Sequence, residues 1–239
     1  MKYLFLLGII LATFTSCMVA GGSSGSSLKV MDNDISITQS LFNDKTSTIS
    51  EKDIKTILDG KYILPEMLRV AIVKLESKSY QTQRAYYWTW TSERYLKAQQ
   101  SYLDLFSKNL YNSKRVINVS VIPDLLISSN PTYTFIRESA VRMQADIVVI
   151  YSINSELYRR DKVFKKDDLK AFATIQFVVM DVRTGLIPFS TIVTKDYQSI
   201  EQKGDFDWEM AQERVKNEAV LLSINEVGMQ LNEFLRQPH

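Results

Sequence analysis

The sequence predicts a single α/β domain with a mixed sheet of about five strands, in the order β-α-β-α-β-β-β-α, ending in a long carboxy-terminal helix. Three observations carry this prediction. In the first half, short β-branched apolar runs alternate with segments of helical period, and crossovers of that kind set strands in parallel. In the second half, two apolar runs flank Arg183-Thr184-Gly185, a turn that folds them into an antiparallel hairpin. From about residue 208 to residue 235, apolar side chains recur at spacings of three and four.

Taken in order, Ser50 reads as the N-cap of a short helix. Glu51 and Asp53 suit the positive end of that helix, Ile54, Ile57 and Leu58 give it a small apolar stripe, and Gly60 ends it. Residues 68–75 (LRVAIVKL), preceded by Pro65, form a buried strand. Residues 84–91 (RAYYWTWT) are an aromatic patch with partial alternation. Ser92 caps a long helix over 93–111, with Tyr95, Leu96, Tyr102, Leu103, Phe106 and Leu110 at helical spacing. A second strand over 116–122 stops at Pro123, and a Ser/Asn/Pro loop leads to a helix over 134–144. Residues 146–153 (DIVVIYSI) form a third, strongly buried strand. The charge-dense stretch 159–170 reads as a solvated hairpin tip. The fourth strand, 171–182, alternates at first and turns apolar later, and the fifth covers 189–194. The last helix carries the stripe Trp208, Ala211, Val215, Ala219, Leu222, Val227, Leu231 and Phe234, with slight drift.

The amino terminus holds the most specific signal. Lys2 is a short positive region, and residues 4–11 are apolar apart from Gly8. A bilayer span needs roughly 20 apolar residues, so a secretory signal is favoured over a transmembrane helix. Small polar residues follow and then the only cysteine; Phe14-Thr15-Ser16-Cys17 resembles a bacterial lipobox, which is cleaved before the cysteine. A thiolate can accept a diacylglyceryl chain and the freed amine a further acyl chain, and two or more chains anchor stably where one is marginal. The alternative is an ordinary signal peptide with an incidental cysteine. The expected organisation is a signal peptide over 1–16, lipidated Cys17 with a flexible tether over 17–49, and one α/β domain over 50–239. The tether begins MVAGGSSGSS, a composition that behaves as a flexible coil.

Composition narrows the function. Of 239 residues, 45% are hydrophobic and 23% charged, which excludes a disordered or multi-span membrane chain. A net charge of +2 gives no basic footprint for nucleic acid. One cysteine excludes an internal disulfide and a cysteine-based zinc site, and one histidine, at the last position, removes most triad and metal chemistry. No cofactor, no metal site and no catalytic residue is expected. Ser26 and Lys29 match an SxxK spacing inside the tether, where nothing would hold them together. Asp32-Asn33-Asp34 opens like a calcium loop but lacks the glycine and the closing glutamate. Asp205 and Asp207 have the spacing of a paired acid and base, although Asp207 is more simply the cap of the last helix. Asp181 and Arg183 flank a turn and suit a local hydrogen bond. The sequon Asn118-Val119-Ser120 falls in a strand predicted to be buried. Tyr86, Trp88 and Trp90 share one face at period two and first suit covering the sheet beside the first strand; the alternative is a partner surface, since exposed aromatics of that kind grip partners.

Three segments together carry a resemblance: Arg69-Val70-Ala71-Ile72-Val73, Ala145-Asp146-Ile147-Val148-Val149, and Val179-Met180-Asp181-Val182-Arg183-Thr184-Gly185. The chain resembles the fold shared by the curli secretion channel, the penicillin-binding-protein activator lipoproteins and the amino-terminal domain of the Tol-Pal β-propeller protein. Leu64-Pro65, Val121-Ile122-Pro123 and residues 146–152 are also similar to rhombotarget-type lipoproteins. The first likeness implies an envelope protein of Gram-negative bacteria, several members being outer-membrane lipoproteins, and the lack of an acidic run after Cys17 makes a periplasm-facing domain the expectation. Two roles follow as expectations. One is a non-enzymatic accessory or assembly protein that binds another, unidentified envelope protein. The other is a homo-oligomeric ring subunit of a secretion channel, although residues 86–90 and 159–170 are short for membrane hairpins. An envelope enzyme using carboxylates is a third, weaker alternative.

Overall fold

The computed structural model describes residues 29–30, 51–59, 62–75, 93–127, 131–160, 162 and 167–237. Four α-helices are present among them: α1 (Glu51–Asp59), α2 (Glu93–Tyr111), α3 (Tyr133–Arg142) and α4 (Trp208–Arg236). The strands are β1 (Lys29–Val30), β2 (Leu68–Lys74), β3 (Val116–Val121), β4 (Ile147–Arg160), β5 (Asp168–Asp181) and β6 (Phe189–Ile200). They form one mixed sheet of order β3-β2-β4-β5-β6. β2 is parallel to β3 and β4, because α2 and α3 carry the chain back between them. β4, β5 and β6 are antiparallel neighbours, with Ile147 opposite Asp181 and Val179 opposite Phe189. The α/β class, the mixed sheet and the long final helix are those the sequence predicts. β1 is an addition that the sequence did not reveal; it pairs antiparallel with the far end of β4, Lys29 opposite Arg159.

Strand alternation sorts the side chains onto two faces. Odd positions of β4 and β5, among them Ile147, Val149, Tyr151, Ile175, Phe177 and Val179, meet α4 and α2 in the larger core. Phe106 of α2 is central there, its ring 4.6 Å from that of Tyr151 and 5.8 Å from that of Phe177. On the opposite face, Val148, Ile150 and Met180 join Ala71 and Val73 of β2 and pack under Ile136 and Ala140 of α3. Helices therefore cover both faces, but α3 covers only the strip beside β2. Thr132 caps α3 by accepting from Phe135 N at 3.0 Å.

Several expectations are corrected. β4 runs on to Arg160 and β5 starts at Asp168, so both ends of the stretch 159–170 are ladder and not a solvated tip. Leu169 is fully buried, Arg159 pairs with Asp167 at 2.7 Å, and its guanidinium stacks 4.5 Å from the Trp208 ring centre. Charges conceal a strand when they pair with each other along it. β6 likewise continues to Ile200. β3 lies at one edge of the sheet, and Asn118 of the sequon is exposed there. Leu96 of α2 and Ile57 and Leu58 of α1 are exposed as well. In α4, Leu222 is exposed while Val220, Ser223, Ile224 and Gly228 are buried. That helix packs on the sheet along one side and on α2 along another, and the drift of its stripe reflects those two contacts.

Candidate binding face

The acidic residues that could have formed a reaction centre hold the fold together. Asp207 caps α4, its Oδ1 accepting from Met210 N at 2.7 Å. Asp205 is engaged by Arg214, whose Nε and Nη2 each donate at 2.8 Å. The two carboxylates thus do separate jobs. Asp181, buried at the end of β5, accepts from Thr184 N at 2.7 Å, Thr184 Oγ1 at 2.8 Å and Tyr62 Oη at 3.1 Å. Burial, reinforced by the Asp181 charge, pushes the Tyr62 hydroxyl well above its usual range. Gly185 closes the same turn at φ +75°, a conformation that a side chain would strain, and a Cβ there would sit 3.0 Å from Tyr133 Oη. The sequence places Asp181 at a turn, and the structure gives it that role.

Asp146 joins the starts of β2 and β4. It accepts from Arg69 Nη2 at 2.8 Å and from Arg69 Nε and backbone N at 3.0 Å each. The side-chain hydrogen bonds of Arg69 are the main reason its carboxyl is held below the usual carboxylate range. Asp146→Asn is expected to lower the thermal midpoint by a few degrees near neutral pH. A depressed folded-state pKa stabilises above the unfolded value and loses that contribution as pH falls through the folded one. The difference between wild type and Asp146→Asn should therefore shrink below about pH 4 in thermal melts taken across that range.

Past the strip covered by α3, the even positions of β4, β5 and β6 form a face on which no described helix packs. The ladder arranges them in rows. Ser152, Gln176 and Ile192 form one row; Asn154, Thr174 and Thr194 the next; then Glu156, Phe172 and Asp196; then Tyr158, Lys170 and Gln198. The middle of this grid is a shallow depression of about 330 Å³ lined by Asn154, Glu156, Tyr158, Phe172, Thr174, Gln176 and Thr194. Much of it is already paired. Thr174 and Thr194 share a hydrogen bond of 2.9 Å, and Tyr158 Oη donates to Glu156 at 2.6 Å. Tyr158 meets Phe172 edge to face at 5.4 Å. Lys170 sits 4.7 Å above the Phe172 ring and pairs with Asp196 at 3.1 Å. Asn154 Oδ1 is buried and finds no hydrogen-bond partner among the described residues, nor does Ser152 Oγ.

The sequence reading overlooked this face as a site. Its signal was present in the early alternation of the fourth strand, where Lys170, Phe172, Thr174 and Gln176 interleave with small and apolar residues. The expected lipidation site Cys17 and the expected partner residues Tyr86, Trp88 and Trp90 lie outside the described residues. Among the described residues, no three His, Cys, Asp or Glu side chains gather in a way that could hold a metal ion, and no helix is long and apolar enough to cross a membrane.

No protein-family model matches the chain, and no curated protein matches it. Solved structures do. A Helicobacter pylori chain described as a neuraminyllactose-binding hemagglutinin homologue is 12% identical, covers 74% of this chain and 92% of its own, and has a TM-score of 0.40. The hypothetical protein CT253 from Chlamydia trachomatis is 13% identical, with 70% of this chain and 98% of that chain covered and a TM-score of 0.37. A minor lipoprotein from Acinetobacter baumannii is 11% identical, with 72% and 93% covered and a TM-score of 0.33. At such scores these likenesses assign neither family nor activity.

Proposed function

We propose that this chain is a lipid-anchored accessory protein of a bacterial envelope, tethered through Cys17 and acting by binding another envelope protein. The observation that carries this reading is the order of the amino-terminal signals: a short positive region, a short apolar run, small residues, a single cysteine, then a Gly/Ser tether. The proposed location is the outer membrane, as the family resemblance implies, with the domain facing the periplasm, since no acidic run follows Cys17.

Binding rather than catalysis is supported by the use of the carboxylates. Asp146, Asp181, Asp205 and Asp207 are each engaged in an ion pair, a turn or a cap. A protein partner is supported by β6, which ends the sheet and whose ladder is filled on one side only among the described residues. An edge of that kind can accept a strand from another chain.

The test is cross-linking in native membranes with a carboxy-terminal tag, comparing wild type with Cys17→Ser. Wild type is expected in the membrane fraction, cross-linked to a second envelope protein, and the variant is expected to be lost from it. Cross-links to itself at defined multiples would instead favour the ring-subunit reading. A wild type recovered as a soluble protein would contradict the anchor.

A further inference from the structure

We infer that the open face of β4, β5 and β6 is a binding site for a neutral carbohydrate, seated over Asn154, Thr174 and Thr194 against the Tyr158–Phe172 pair. This goes beyond the anchoring proposal and stands whether or not Cys17 carries lipid.

The first ground is the mixture of groups. The side-chain amide of Asn154 and the hydroxyls of Thr174 and Thr194 bring donors and acceptors to neighbouring points of a rigid ladder. A polyol presents the complementary mixture, because each hydroxyl both donates and accepts. The second ground is the aromatic pair. Tyr158 and Phe172 are locked edge to face and supply an apolar wall for the C–H face of a sugar ring. The third is the buried Asn154 Oδ1, without a partner among the described residues, on the floor of the depression. A buried acceptor left unmade is costly, and a turn of the Asn154 side chain toward the depression would bring it within reach of a ligand hydroxyl. Ser152 Oγ, in the adjacent row of the same ladder face, is in the same condition and is 1% exposed.

Charge selects among ligands. Glu156 and Asp196 stand in the row beside Asn154, and Lys170, in the row after that, is paired with Asp196 at 3.1 Å. Over these rows an anionic group would therefore meet two carboxylates and, among the described residues, a lysine already paired, with Arg160 two rows further along β4 than Glu156, which disfavours phosphates and acidic sugars over the Asn154 row. A volume of about 330 Å³ lies at the small end of ligand pockets and suits one or two sugar rings.

The experiment titrates the full chain, in mild detergent, with chitotriose, cellotriose and maltotriose, and with sialyllactose as an acidic control, by calorimetry. At least one neutral trisaccharide is expected to bind with a Kd of about 1 mM or tighter, and sialyllactose about tenfold more weakly. Phe172→Ala, and separately Asn154→Ala, should each weaken that binding about tenfold or more. Asn154→Ala should leave the thermal midpoint unchanged or raised, because it removes an unsatisfied buried acceptor. Thr194→Val, on the edge strand, should weaken binding too and serves if Phe172→Ala fails to fold. No binding by any neutral trisaccharide at about 10 mM would overturn the inference. So would equal or tighter binding of sialyllactose, or a neutral-sugar affinity untouched by the Asn154 and Thr194 variants. Loss of membrane anchoring in Cys17→Ser with sugar binding retained would leave this inference standing, which separates its failure from that of the anchoring proposal.

Discussion

Replacing Phe106 with alanine is expected to cost about 3–5 kcal/mol of stability, the largest effect of any single truncation considered. Phe106 is 1% exposed, and its ring lies against Tyr151 of β4 and Phe177 of β5. It is the point where α2 meets the sheet. The side chains around it are themselves anchored in the sheet or in helices, so the space left behind cannot close by small shifts, and a cavity term adds to the lost burial. Phe106→Leu keeps most of the volume and should cost less than about 1.5 kcal/mol. Urea unfolding of the two variants measures both values, with an unchanged slope showing that the unfolded state is not the cause. A cost of under about 1 kcal/mol for Phe106→Ala would mean that α2 is not seated as described.

Gly228→Ala should destabilise by about 1–3 kcal/mol, against the usual direction for that exchange in a helix. On an exposed helical surface alanine is better than glycine by about 1 kcal/mol. Here α4 passes so close to α2 that a Cβ on Gly228 would lie 2.8 Å from Asn109 Cβ and closer still to its amide. Asn232 binds the two helices at the same place, its Nδ2 donating to Asn109 O at 2.9 Å and Gly228 O at 2.8 Å. The helices must therefore separate or twist to admit a methyl group. Asn109→Gly in the Gly228→Ala background should recover much of the loss. Thermal melts of the single and double variants decide this, and a stabilised Gly228→Ala would disprove the close approach.

The features that the sequence made legible are those governed by short-range rules. The bounds 93–111 of α2 follow from the Ser92 cap signal and the apolar spacing, and the turn through Gly185 follows from the residues that tolerate it. The alternation of 171–176 and the apolar run after it mark a strand with one open face that later becomes covered on both, and α3 is what covers it. What escaped reading depends on partners distant in sequence. Arg159 looked like a solvated charge because Asp167 and the Trp208 ring, which hold it, cannot be foreseen from its neighbours. Leu222 fitted one helical stripe, but α4 has two partners and the true buried surface turns toward Val220, Ser223 and Ile224. The candidate site was missed for the same reason. Asn154, Thr174 and Thr194 lie on three strands, and only the ladder register sets them side by side.

The most direct test of the proposed anchoring is metabolic labelling of the full chain with an alkyne-bearing fatty acid in a Gram-negative host, followed by mass analysis of its mature amino terminus. The expected result is a mature chain that begins at Cys17, carries the label there, and loses it entirely in Cys17→Ser. An unlabelled wild type, or a mature chain that begins at any other residue, would contradict lipid tethering and the envelope role built on it.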